Sequence, residues 1–209
     1  VREAPDGLIN DVPRSNEKLF AAHRDHPRLV PCPIVVPATG GDLAPEAEQV
    51  EQAIQGGAGA AAVRPGADHW LLAPWNSDPL FEALQERRLP VLCMHDQMDF
   101  DDIADLAERF PELPFVLAGI GYRTQRIVLP LMKRFDNVHL SLGSNVSVHC
   151  GVEQLVAAVG AERLLFGTGF PAIEPMCGVT LLMYADIAGE ERALIGAGNL
   201  VRLIEGVQR

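Results

Sequence analysis

The sequence predicts an α/β fold, a TIM-barrel-like parallel (β/α) barrel that lacks its first one or two strand–helix units. Three observations predict it. Short apolar runs alternate with amphipathic helical stretches along most of the 209 residues. The runs are almost continuously apolar, as strands buried on both faces must be, and such strands belong to a parallel sheet covered by helices. Polar or conformationally special residues recur where the runs end, the side on which parallel barrels assemble binding and chemistry. An open doubly wound sheet is the competing architecture. A nucleotide-binding sheet of that kind wants a glycine-rich phosphate turn after its first strand, and none is present.

Taken in order, residues 1–27 form a polar lead-in whose only compact apolar patch is "LFAAH", too polar for a full cover. "RLVPCPIVVP" (28–37) reads as the first strand, and "PEAEQVEQAIQGG" (45–57) as a helix with Val50 and Ile54 four apart before a glycine stop. "GAAAVRP" (59–65) is the second strand. "SDPLFEALQERR" (77–88) places Leu80, Ala83 and Leu84 on one helical face, with Pro79 in its opening turn. "LPVLCMH" (89–95) is the third strand, and "FDDIADLAERF" (100–110) sets Ile103, Leu106, Ala107 and Phe110 at helical spacing behind an acidic first turn. "PFVLAGI" (114–120) is followed by a helical stretch to Phe135 that Pro130 should kink or restart. "NVHLSLG" (137–143), "GVEQLVAAVG" (151–160) and "RLLFG" (163–167) extend the alternation of 28–167 to a sixth strand, and helices are expected over 175–209. One domain is expected to span 1–209.

A net charge of −11, with 17 scattered Lys and Arg residues, excludes a phosphate-binding stripe and so nucleic acid as a partner. No uninterrupted apolar stretch of about 18 residues is present, and "VREAPDGLIND" lacks the order of a secretory signal, so a cytoplasmic protein without a membrane partner is expected. Cys32, Cys93, Cys150 and Cys177 are isolated, unlike a disulfide framework or a structural zinc site.

"PVLCMHD", "FVLAGIG", "NVHLSLGSN", "LLFGTGFP" and "LIGAGNLVRLI", in this order and spacing, resemble the second half of the amidohydrolase-related family, the metal-dependent barrel hydrolases and decarboxylases of the aminocarboxymuconate-semialdehyde decarboxylase type. The resemblance runs from about residue 15 to residue 206. It implies a divalent metal, usually zinc, held by a first-strand His-x-His, two further histidines and the aspartate of a G-S-D-[FY]-P motif. Carried over position by position, only His95 survives. Gly119 stands where the next histidine is expected, Gly169 stands where the aspartate and general base is expected, and the His-x-His has no counterpart. A zinc site takes at least three protein ligands, so no cofactor is expected.

Other residues carry competing readings. Cys93, His95, His139, His149 and Cys150 are the candidates for a rebuilt soft-ligand site, against the alternative of core cysteines and scaffold histidines. Arg64, Ser141 and Asn145 are candidate substrate-binding residues, although Arg64 equally reads as one half of an ion pair. Asp96, Asp99, Asp101 and Asp102 read as a hard-cation cluster or, more simply, as cap and dipole partners of the following helix. Ser144 and Ser147 share the loop of Asn145 without a nucleophile motif, and Trp70 and Trp75 line either a pocket or a surface.

Two functions follow. One is a catalytically degenerate family member that serves as a binding, regulatory or assembly subunit. The other is an active metal-dependent hydrolase or decarboxylase of a small carboxylic or cyclic substrate, with its missing ligands supplied upstream or by another chain. With two strands absent, the strands at 28–37 and 163–167 become open edges, so an oligomer is expected, either with itself or with a complete relative.

Overall fold

The computed structural model of the chain describes residues 11–143 and 149–209. Five parallel strands stand in chain order: β1 (Ala61–Val63), β2 (Val91–Met94), β3 (Phe115–Ala118), β4 (Val138–Leu142) and β5 (Leu164–Phe166). Successive parallel neighbours require crossovers. These are α3 (Pro74–Glu86), α4 (Phe100–Arg109), α5 (Gln125–Arg134) and α6 (Gly151–Val159), with α1 (Val12–Asp25) and α2 (Glu46–Gln55) preceding β1. α7 (Met176–Met183), α8 (Gly189–Ala193) and α9 (Asn199–Glu205) follow β5, and a π-helical turn, Leu194–Gly198, joins the last two. No helix among the described residues is long and apolar enough to cross a membrane.

Alternation along the strands divides the side chains between two faces. Val63, Cys93, Leu117, Leu140 and Leu164 turn toward the helices and merge with Val50, Leu80, Phe81, Ile103, Leu106 and Leu155 in one core. Ala62, Leu92, Met94, Val116, Ala118, His139, Ser141 and Leu165 occupy the other face, the concave side of the arc. α4 starts as its sequence dictates: Asp99 accepts from the Asp102 N–H at 2.9 Å and Asp102 accepts from the Asp99 N–H at 3.2 Å, a reciprocal capping box.

Four expectations are corrected. The strand expected at 28–37 is reduced to one parallel bridge, Ile34 to Ala62, because Pro31, Pro33 and Pro37 remove the donors a ladder needs. The described sheet therefore has five strands and a bridge, not six strands. α3 begins at Pro74, which puts Pro79 inside it rather than in its first turn. α5 runs through Pro130 as one helix rather than restarting there, and forgoes the bond to the carbonyl four residues back on an exposed flank. The polar lead-in contains α1, capped by the Asp11 carboxylate on the Arg14 N–H (3.0 Å) with Pro13 in its first turn.

The C-terminal segment ties the arc together. Asn199 is fully buried and its amide donates to the carbonyls of Ala161 (2.8 Å) and Leu164 (2.7 Å) beneath β5. Ile204 packs so closely on Gly59 that a Cβ there would come within 2.9 Å of it, and Gln208 donates its N–H to the Arg87 carbonyl at 2.8 Å.

Candidate functional site at the C-terminal rim

The rim is built from the segments that follow each strand. After β1, Arg64 donates to Asp68 through Nε (3.0 Å) and Nη2 (2.8 Å), a bidentate pair within one loop. The ion-pair reading of Arg64 is therefore the geometry present. After β2, His95 lies beyond the last strand residue, is exposed, and stacks on Phe100 with ring centroids 5.1 Å apart. Cys93, two residues earlier, is fully buried against the helices, and burial pushes its thiol well above the usual range. The two differ in burial, Cys93 inside the core and His95 at the surface.

Gly119 ends β3 with φ 75° and Gly169 follows β5 with φ 73°, both in the left-handed region that favours glycine. A side chain at 119 would meet only ordinary contacts, the nearest being the Met94 methyl at 3.5 Å, so the constraint there is conformational. At 169 a Cβ would also press on Ile173 at 3.0 Å. Ser141 is half-buried on the concave face, where its hydroxyl packs against Gly167 so tightly that a Cβ on Gly167 would sit 2.6 Å away.

His139, on the same face as Ser141, is only 8% exposed and its Nδ1 has no partner. Burial, with Arg163 and Arg202 nearby, lowers its pKa from 6.5 to about 4, so the ring is neutral. His149 and Cys150 are exposed at the start of α6. Asn145, Ser144 and Ser147 lie outside the described residues.

The metal test fails on these positions. Among the described residues no three His, Cys, Asp or Glu side chains come together in a way that could hold an ion. Cys93 and His139 face opposite sides of the sheet, and His95, His149 and Cys150 do not join them. The rebuilt ligand set is not assembled, and Asp99 and Asp102 are used as helix caps.

One rim feature is absent from the sequence reading. The segments after Val36 and after β1 enclose a cleft of about 550 Å³, lined by Asp11, Val36, Thr39, Asp42, Asp68, His69 and Trp70. Trp70 is half-buried against both apolar clusters and lines the cleft, whereas Trp75 is 75% exposed. The glycine-rich turn "ATGGD" was the available signal. It was illegible because the facing wall is set by the distant "ADHW" loop.

Comparison places this geometry. The fold and rim define a parallel (β/α)-barrel protein of the type that carries its chemistry on strand C-termini. The chain belongs to the amidohydrolase family, whose model matches residues 12–204. It is similar in fold to an uncharacterised TIM-barrel protein of Bordetella bronchiseptica, at 21% identity and TM-score 0.74 over 93% of this chain and 73% of that one. It is also similar to a 2,6-dihydroxybenzoate decarboxylase from Rhizobium, at 17% identity and TM-score 0.71 over 98% of this chain and 80% of that one. A 5-carboxyvanillate decarboxylase of Novosphingobium aromaticivorans, solved with manganese, gives 13% identity and TM-score 0.74 over 98% and 75%. No curated protein matches.

Proposed function

We propose that this chain is a catalytically degenerate amidohydrolase-family barrel that serves as a binding or assembly subunit. The observation that carries the reading is the pair Gly119 and Gly169. At two strand ends where the family resemblance calls for a histidine and an aspartate, the backbone adopts positive φ, which an L side chain adopts only with strain. The backbone is thus shaped around glycine at both positions, and no alternative ligand group gathers among the described residues to replace them. The cleft beside Trp70 is the place on the rim where a small molecule would be held.

The alternative, an active metal-dependent hydrolase or decarboxylase completed by ligands outside these residues, draws on the two decarboxylase neighbours, of which this chain spans 80% and 75%. Metal analysis separates the two. After dialysis against a mild chelator, the protein is expected to hold well under one equivalent of zinc, manganese or iron. One tightly held ion per chain would overturn the degenerate reading.

A further inference from the structure

We infer that the side-chain carboxamides of Asn16 and Gln49 act together as a surrogate strand that closes the first edge of the sheet. The parallel bridge fixes the geometry. Ala62 donates to the Pro33 carbonyl (2.8 Å) and accepts from the Val35 N–H (3.1 Å), so alternation turns the N–H and C=O of Ile34 and Val36 away from β1, toward the open edge. Both residues are about 95% buried there, where an unpaired backbone amide is costly. Each edge residue is met by one carboxamide. The Ile34 N–H donates to Asn16 Oδ1 at 2.9 Å and Asn16 Nδ2 donates to the Ile34 carbonyl at 2.7 Å. The Val36 N–H donates to Gln49 Oε1 at 3.3 Å and Gln49 Nε2 donates to the Val36 carbonyl at 2.9 Å.

A carboxamide carries a donor and an acceptor side by side, which matches the N–H and C=O that a single strand residue presents toward one edge. Two of them, from α1 and α2, at alternate residues of one edge, reproduce the pattern by which a neighbouring parallel strand would bond. The consequence concerns partners: a strand from another chain finds these edge groups already taken, so this edge is closed to strand addition.

Hydrogen exchange on the full chain tests the assignment, with the Leu117 amide in the central strand β3 as reference. In the wild type the Ile34 and Val36 amides are expected to be protected. Asn16→Ala is expected to speed exchange at Ile34 by about tenfold or more while leaving Leu117 unchanged, and Gln49→Ala to do the same at Val36. Asn16→Asp, which keeps an acceptor, should hold Ile34 protection above that of Asn16→Ala. Unprotected Ile34 and Val36 amides in the wild type would overturn the inference before any variant is made. Unchanged protection in the alanine variants would overturn it too, and so would an equal loss at Leu117, which would make the carboxamides general stability residues.

Discussion

His139 makes one contribution to the acid sensitivity of the fold. Its folded pKa of about 4 lies below the 6.5 of an unfolded histidine, so as pH falls the unfolded chain takes up the proton first. The stability contributed by the neutral buried ring is complete above about 6.5, declines between 6.5 and 4, and is gone below that window. The expected loss is about 2 kcal/mol between pH 7 and pH 5. Urea titrations at the two values measure it, and His139→Leu should flatten this part of the profile. His95 sits at the surface instead. Its ring is exposed on Phe100, so His95→Ala should move stability by less than about 1 kcal/mol. Ile103→Ala, at a site 1% exposed in the core, should cost about 2–5 kcal/mol, and thermal melts of the two variants compare them directly. His139 lies near the start of β4 and His95 just past the end of β2, and their type alone does not separate them. Burial does, and it depends on which face of a strand the residue occupies and where that strand stops.

Among the elements, α4 was the most legible because its apolar spacing and its acidic start are local features. The structure confirms both, and Asp99→Ala is expected to cost about 1 kcal/mol by removing the cap, read from urea midpoints. α1 was not legible as a cover. The polarity of 1–27 argued against burial over a sheet edge, yet a sheet edge is a row of N–H and C=O groups and Asn16 satisfies them better than an apolar side chain would. The signal that could have found α1 was present in Asp11 and Pro13, an N-cap and a first-turn proline. Pro130 misled in the other direction. A proline inside a helix removes one hydrogen bond, and on an exposed flank the rest of α5, with Val128, Leu131 and Met132 buried, keeps the helix whole.

At the scale of the whole molecule, the described residues form an open arc of barrel whose two ends are held by side chains and by the tail. Asn16 and Gln49 occupy the edge at Ile34 and Val36, and Asn199 takes the Leu164 carbonyl on the far side. The edge at Ile34 and Val36 has its groups paired within the chain, and at β5 Asn199 meets one carbonyl. Light scattering of the chain alone at micromolar concentration is expected to give a monomer, which leaves assembly with a different chain as the form the proposed subunit role would take. A concentration-dependent dimer would instead point to the exposed apolar side chains of Met176, Met183 and Tyr184 on and beside α7.

By itself the sequence determined the alternation of strand and helix, the parallel sheet and the core-facing residues of α4, because each rests on local periodicity, and the family resemblance, which rests on short motifs in a fixed order along the chain. It also named Gly119 and Gly169 as the positions at which the site departs from that resemblance. Only the tertiary structure decided that Cys93 and His139 stand on opposite faces, that Arg64 is held by Asp68, and that a cleft forms between Asp42 and Trp70. It alone joined Asn16 to Ile34, 18 residues away. These outcomes depend on which faces meet across the sheet. A long-range juxtaposition of that kind leaves no local pattern in a chain, since its cost and its reward are both collected only when distant segments pack.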